Sequence, residues 1–96
     1  MFVLATYDIC TESKEGRRRL RRVAVACKDF GTRVQKSVFE FVLNDLQIVK
    51  LRARLIAELE PSEDSLRVYF IDEDGRDKIE HYGVGTPLDL EGPLVL

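Results

Sequence analysis

Long hydrophobic runs are absent from the 96-residue chain. No apolar stretch approaches the roughly 20 residues that a membrane-spanning helix requires. The N-terminal stretch MFVLATYD also lacks the basic start and the small-residue cleavage site of a secretory signal. These absences argue against a membrane partner and against secretion, and we expect a cytoplasmic protein.

Cysteine and histidine are also scarce. Cys10 and Cys27 stand far apart and form no C-x-x-C pair, so we interpret them as buried free thiols rather than redox or metal-binding groups. His81 is the only histidine, and we interpret it as a structural or exposed strand residue rather than a catalytic base. The sequence also contains no G-x-x-x-x-G-K-[ST], no G-x-G-x-x-G and no H-E-x-x-H. The usual parts for binding nucleoside triphosphates or dinucleotides, and for zinc-dependent proteolysis, are therefore missing.

The composition is that of an ordinary globular protein, with 45% hydrophobic and 33% charged residues. The length predicts one domain over 1–96, which we divide into a core over 1–82 and a C-terminal docking tail over 83–96. A chain of this size buries only roughly two-thirds of its unfolded surface when it folds alone. Burial against a partner would therefore add stability.

The net charge of −2 hides a strong asymmetry along the chain. Residues up to Arg54 carry twelve Lys and Arg against six acids, and residues from Leu55 onward carry three against eleven. Phosphates respond to the local potential within a Debye length of about 8 Å rather than to the total charge. The basic half is therefore where we expect an anion to bind.

Hydrophobic periodicity predicts four strands and two helices. The predicted strands are Phe2–Ile9, Arg33–Asn44, Ser65–Ile71 and a short strand that follows a hairpin turn at Asp74–Gly75. Ser13 caps the first predicted helix and Gly31 ends it. The second helix starts at Asp45, ends before Pro61, and carries two apolar lines. These lines are Leu46, Val49, Ala53 and Ile56, and Ile48, Leu51, Leu55 and Leu59.

This order of elements indicates an α+β fold, a ferredoxin-like sandwich whose antiparallel sheet carries two helices on one face. The first strand is apolar on both faces, so the uncovered face of the sheet is expected to pack against a second copy as an isologous homodimer. The apolar tail GPLVL, at 92–96, is expected to pair as a strand with the partner. A frayed tail is the alternative.

Five arginines in six positions open the first helix, where the helix dipole favours acids. Like charges four residues apart, such as Lys14, Arg18 and Arg22, cost a few tenths of a kcal/mol each, roughly, so stability alone does not explain them. We predict that this cluster binds phosphates. Its members are Lys14, Arg17, Arg18, Arg19, Arg21 and Arg22. A solvated face partly neutralised by Glu12 and Glu15 is the alternative.

Asp8 ends the first strand. One interpretation is a strand-end carboxylate that accepts hydrogen bonds from the following backbone amides. The other is a metal site, because a homodimer would present Asp8 twice and two carboxylates could share one Mg²⁺ whose shell is completed by phosphate oxygens and water. Such a metal could polarise a phosphodiester and generate hydroxide.

The segments MFVLATYDI, RVQKSVFEF and EGPLVL, together with the run of arginines, resemble a known family over essentially the whole chain. The family is that of the small CRISPR-associated adaptation proteins, ferredoxin-fold dimers that accompany the CRISPR integrase in spacer acquisition. An apolar strand ending in Tyr-Asp, followed some 25 residues later by R-V-Q-x-S-V-F-E, is the specific part of the resemblance.

The resemblance implies a role for several residues. Asp8 matches the family's metal-binding aspartate, with Mg²⁺ as cofactor, and Tyr7 matches the residue beside it. The second-strand motif, which supports nuclease activity and the shape of the site in the family, falls on Arg33, Ser37 and Phe39. Arg17 and Arg19 match by position in the arginine run, although the loop before the helix varies in length within the family.

The resemblance also implies two functions. Members of the family are described as Mg²⁺-dependent endonucleases acting on RNA or double-stranded DNA, and as a bridge that holds two integrase dimers and captured DNA. The sequence predicts a CRISPR adaptation protein that binds double-stranded DNA, or single-stranded RNA, as a homodimer and bridges the integrase, with metal-dependent endonuclease activity. The alternatives are a DNA-binding scaffold without catalysis and a ferredoxin-like regulatory module.

Overall fold

Five strands and two helices make up residues 1–71 and 77–85, the part of the chain described by the structure, a computed structural model. In chain order they are β1 (Phe2–Asp8), α1 (Lys14–Phe30), β2 (Thr32–Gln35), β3 (Val38–Val42), α2 (Asp45–Glu58), β4 (Ser65–Ile71) and β5 (Asp77–Gly83). The strands form one sheet in the order β2-β3-β1-β4-β5, and every neighbouring pair is antiparallel. The predicted α+β, ferredoxin-like fold is thus confirmed, with β5 as an added edge strand.

The predicted strand Arg33–Asn44 is wrong, because the structure divides it into the β2–β3 hairpin. Lys36 and Ser37 form the turn, and both of their carbonyls are bound by Tyr7 of β1. The Tyr7 amide donates to the Ser37 carbonyl at 3.1 Å and its hydroxyl donates to the Lys36 carbonyl at 3.2 Å. The pairing of β2 with β3 also shifts register between Arg33 and Gln35.

Alternation along the strands separates two faces of the sheet. One face lies under both helices and forms the core with Val3, Ala5, Tyr7, Phe39, Phe41, Leu66, Val68 and Phe70. The helices contribute Val23, Ala26 and Cys27 from α1, and Leu51 and Leu55 from α2. The other face, which we call the open face, carries the alternate strand residues, including Phe2, Leu4, Thr6 and Asp8 of β1.

Both helices begin at side-chain caps. The Ser13 hydroxyl accepts from the Gly16 amide, as predicted, and Asn44 forms a reciprocal capping box with Gln47. The α1 helix ends before Gly31, again as predicted. Neither helix within the described residues is long and apolar enough to cross a membrane.

The C-terminal predictions fall largely beyond the described residues. β5 pairs with β4 as expected, but the Asp74–Gly75 turn lies outside them. The predicted docking tail over 83–96 starts inside β5, and from residue 86 it too lies outside them. Its pairing with a second copy stays a prediction.

Candidate nucleic-acid interface and metal site

Asp8 lies at the last position of β1, on the open face of the sheet and opposite Ser65 of β4. Its side chain is exposed and makes no hydrogen bond or ion pair with a described residue. The interpretation of Asp8 as a carboxylate that holds the following amides is therefore not what the structure shows. The carboxylate borders a shallow concavity of about 230 Å³. The lining residues are Thr6, Tyr7, Asp8, Ser65, Arg67, Tyr69, His81, Val84 and Gly85.

His81 occupies the same concavity as Asp8 and lies on β5, the strand position that its sequence context predicted. The Nε atom of Arg67 donates to His81 Nδ1 at 3.1 Å. The His81 Nδ1 atom is therefore an acceptor, and the ring proton belongs to Nε2, which lies 2.9 Å from the Val84 carbonyl. This arrangement fixes the orientation of the imidazole beside Asp8.

A metal at Asp8 would have few ligands from a single chain. Within residues 1–71 and 77–85, no three His, Cys, Asp or Glu side chains converge as a metal site. Magnesium is commonly held by one or two carboxylates, with water and phosphate oxygens completing the shell. The Asp8 carboxylate, which makes no bond to a described residue, fits that mode of binding as one such ligand.

Tyr7 and Phe39 lie on the opposite side of the sheet from Asp8. Both side chains are buried, and their rings stack with centroids 6.2 Å apart. The guanidinium of Arg33 lies over the Phe39 ring at 5.2 Å, and Ser37 lies in the hairpin turn that Tyr7 binds. Burial raises the pKa of the Tyr7 phenol, against the opposing effect of Arg33. Four of the five predicted catalytic residues thus form one cluster, from which the Asp8 side chain is separated by the sheet.

The predicted phosphate-binding side chains of α1 are mostly exposed. Lys14, Arg18 and Arg21 make no ion pair with a described acid. Arg17 donates to the Thr11 carbonyl at 3.1 Å, and Arg22 has only a long contact of 3.7 Å with Glu58. Neither Glu12 nor Glu15 pairs with these cations, so the neutralised face considered above is absent from the described residues.

Arg19 differs from the other cations of α1. Its Nε atom lies 2.7 Å from Asp64 and its Nη2 atom 3.0 Å from Glu63, and only 16% of its side chain is exposed. The hydrogen bond to Asp64 raises the pKa of the guanidinium further. With its donors already engaged, we expect Arg19 to stabilise the fold rather than bind phosphate.

Asp64, which the sequence interpretation missed, is the most buried charged group among the described residues. Its carboxylate accepts from the amides of Cys10 at 3.0 Å and Glu60 at 2.9 Å, besides Arg19. Burial alone would raise the pKa of Asp64, but the bonds from Arg19, Glu60 and Cys10 outweigh it and lower the pKa. No local sequence pattern predicts this role, because Arg19 and Asp64 lie 45 positions apart in the sequence. We call Asp64, Arg19 and the Cys10 and Glu60 amides the Asp64 cluster.

The cysteines match their interpretation in part. Both thiols are free, Cys27 is buried, and burial raises its pKa to about 12, so the thiol stays protonated at neutral pH. Cys10 is only partly buried.

Comparison with known proteins places this geometry in a family. The family model described as CRISPR associated protein Cas2 matches residues 1–79. The chain belongs to the Cas2 family. Cas2 proteins are small CRISPR adaptation proteins, so the resemblance drawn from the sequence is confirmed.

Individual Cas2 proteins are similar over the whole chain. The CRISPR-associated endoribonuclease Cas2 of Chlorobaculum tepidum is 51% identical over 96 residues, covering 100% of both chains. The CRISPR-associated endonuclease Cas2 of Halalkalibacterium halodurans is 43% identical and covers 99% of both. The crystal structure of Streptococcus pyogenes Cas2 superposes with a TM-score of 0.70 at 43% identity, covering 77% of this chain and 89% of that one.

Proposed function

We propose that this Cas2-family chain acts as a homodimer that binds double-stranded DNA, bridges integrase subunits during CRISPR adaptation, and cleaves phosphodiester bonds in DNA or RNA with Mg²⁺ held by Asp8. One observation carries the proposal. The carboxylate of Asp8 is exposed at the end of β1 and has no partner among the described residues, and the first helix carries exposed cations, such as Lys14, Arg18 and Arg21, that pair with no described acid.

A homodimer through the open face would supply what one chain lacks. Among the described residues, the open face exposes large hydrophobic side chains that include Phe2 at 37%, Val42 at 79% and Ile71 at 39%. In an isologous contact a residue meets its own copy only where it lies at the two-fold axis. Asp8 lies on this face at the last position of the central strand β1, so a two-fold axis at that end of β1 would bring two Asp8 carboxylates to one site.

The chemistry expected of the chain's own residues is limited and specific. Bound Mg²⁺ would supply charge for the phosphodiester and lower the pKa of an attacking water. Asp8 would hold the metal, and the exposed cations of α1 would neutralise the flanking phosphates. Tyr7, Arg33, Ser37 and Phe39 would support the site from the opposite face by fixing the end of β1 through the hairpin turn.

The relatives favour nuclease activity. The Chlorobaculum tepidum protein is named an endoribonuclease and the Halalkalibacterium halodurans protein an endonuclease. With whole-chain identities of 51% and 43%, we propose the same class of reaction here, with RNA and double-stranded DNA as the substrates to compare.

A DNA-binding scaffold without catalysis is the second candidate. The observation in its favour is that Asp8 has no second acid beside it among the lining residues of its concavity. Binding of a DNA backbone needs only the cations of α1, and it predicts an affinity that falls with salt and depends little on base sequence.

The experiment compares cleavage of double-stranded DNA and single-stranded RNA, with and without Mg²⁺, by the wild type and by Asp8→Asn. Asp45→Asn, at the exposed start of α2, is the matched control for loss of one carboxylate. We expect Asp8→Asn alone to abolish Mg²⁺-dependent cleavage while dimerisation and DNA binding persist. Equal cleavage by all three proteins would contradict the metal role of Asp8, and binding without cleavage in all three would leave the scaffold.

A further inference from the structure

A second concavity, which we call the α1–β2 groove, lies between the first helix and the β2–β3 hairpin and has a volume of about 480 Å³. It is distinct from the concavity at Asp8 and lies on the helix-bearing side of the sheet. The lining residues are Tyr7, Leu20, Arg21, Ala24, Val25, Lys28, Arg33, Lys36 and Ser37.

The rim of this groove is strongly positive. Four of its lining residues are cationic, and no acid lines it among the described residues. Arg21, Lys28 and Lys36 are exposed and form no ion pair with a described acid. Three arginines elsewhere on the helices are paired instead: Arg19 and Arg54 each bind an acid at 2.7 Å, and Arg52 binds one at 2.9 Å. Uncompensated positive charge around a concavity favours a ligand with several negative charges.

The floor of the groove is apolar. Leu20, Ala24 and Val25 line it from α1, and the Tyr7 hydroxyl is already bound to the Lys36 carbonyl. In single-stranded nucleic acid the bases are free to leave the stack and contact such a surface while the phosphates meet cations. In a duplex the base faces are hidden by stacking, so only the backbone would meet the rim.

We infer that the α1–β2 groove binds single-stranded nucleic acid, with phosphates on Arg21, Lys28, Arg33 and Lys36 and a base against Val25. The inference rests on the proposed function and extends it, because Lys28 and Lys36 had no part in the predicted site. Tyr7 lines both concavities, so the groove lies next to the strand end that carries Asp8.

The decisive test is a pair of matched charge insertions. Val25 lies in the groove on α1 and Val49 lies on α2, and the two are similarly exposed, at 52% and 56%. Affinity is measured by fluorescence anisotropy of a labelled single-stranded RNA of mixed sequence in EDTA, so that cleavage plays no part. Val25→Asp should weaken binding about tenfold, since it puts a negative charge among the cations, whereas Val49→Asp should change it by less than about twofold.

Lysine substitutions give an independent measurement. Lys28→Gln and Lys36→Gln each remove one proposed phosphate contact, and Lys50→Gln on α2 is the control. For single strands, each lost contact should reduce the slope of log affinity against log salt by about 0.7, and the control should leave it unchanged.

Two outcomes would overturn the inference. If Val25→Asp and Val49→Asp change RNA binding equally, the groove does not hold the strand. If a duplex of the same sequence loses as much affinity as the single strand in Val25→Asp, the groove is not selective for single strands. Either failure is separable from failure of the proposed function, because these measurements exclude metal and leave Asp8 intact.

Discussion

Asp8 and Asp64 lie at the same end of the sheet in opposite environments. Asp8 pairs in register with Ser65, the residue that follows Asp64, yet its carboxylate is exposed and accepts no hydrogen bond from a described residue. The Asp64 carboxylate is completely buried and accepts from Arg19 and from the amides of Cys10 and Glu60. The comparison separates a carboxylate used by the fold from one left available to a ligand.

The difference follows from the cost of burying charge. A carboxylate removed from water must be matched by donors, and Asp64 obtains them from α1 and from two loops. The backbone carbonyl of Asp64 also accepts a hydrogen bond from the Val84 amide, which holds the residue after β5 beside the Asp64 cluster. Asp8 is two residues from Cys10, so the bond from the Cys10 amide to Asp64 holds the backbone that follows Asp8.

The largest effect is expected when the two aspartates are changed to asparagine. Asp64→Asn removes the buried carboxylate that pairs with Arg19 and leaves only the exposed Glu63 as its charged partner, so it should cost about 3 kcal/mol of unfolding free energy. Asp8→Asn should change it by less than about 0.5 kcal/mol, as is usual for exposed positions. Urea denaturation at one fixed protein concentration measures both. Equal losses of unfolding free energy in the two variants would contradict the conclusion that Asp64, and not Asp8, stabilises the fold.

Low pH should destabilise the fold by protonating Asp64. Its pKa is lowered from 3.8 in the folded chain, so the unfolded chain binds the proton more readily. The stabilisation is therefore complete above about pH 4 and is lost as the pH falls through the lowered pKa. The loss should be smaller than that in Asp64→Asn, because protonated Asp64 keeps some of its hydrogen bonds.

Urea denaturation repeated between neutral and acid pH checks this expectation. The wild type should lose stability more steeply than Asp64→Asn below about pH 4, since the variant has no carboxylate to protonate at this position. Parallel pH profiles for the two proteins would show that Asp64 is not responsible for acid unfolding.

Alanine substitution should lower the unfolding free energy by different amounts at two glycines that follow β5 or end it. Gly83 and Gly85 both have positive φ angles, +94° and +98°, which side chains rarely adopt. At Gly83 a Cβ would also overlap the Asp64 carbonyl, whereas at Gly85 its nearest neighbour is the His81 ring at 3.8 Å. Gly83→Ala should cost about 2 kcal/mol and Gly85→Ala about 1 kcal/mol. Equal losses would mean that the overlap relaxes without cost.

The sequence predicted the helices and the fold class well, because local signals determine them. Ser13 as cap and Gly31 as terminator gave α1 its observed ends. The β2–β3 hairpin was missed because its turn, Lys36–Ser37, lacks the Gly or Asn-Gly pair that marks a two-residue hairpin turn. The turn is held instead by Tyr7, a contact between distant positions in the sequence.

The sequence could not decide between the two apolar lines of α2. The structure buries Leu51 and Leu55 of one line and exposes Leu46, Val49 and Ile56 of the other. Both lines have helical spacing, so only the position of the sheet selects the buried one. For the candidate site, local pattern placed Asp8 at the end of a strand and the cations on the first helix, where the structure has them, and their roles stay predictions. The Asp64 cluster was not predictable, since its partners meet only in the folded chain.

The smallest effect on stability is expected from substitution of Arg21. Together with Arg19 it makes the same comparison on α1, between a charge used by the fold and one available to a ligand. Arg19 and Arg21 are two positions apart in one run, but Arg19 belongs to the Asp64 cluster and Arg21 lines the α1–β2 groove. Arg21→Gln should leave the unfolding free energy within about 0.5 kcal/mol of the wild type, because its side chain is exposed and pairs with no acid in 1–71 or 77–85. It should weaken nucleic-acid binding and reduce the salt slope by about 0.7 for a single strand. Arg19→Gln should lower the urea midpoint instead and leave the salt slope unchanged, and the reverse pattern would place Arg19 among the phosphate contacts that the sequence first indicated.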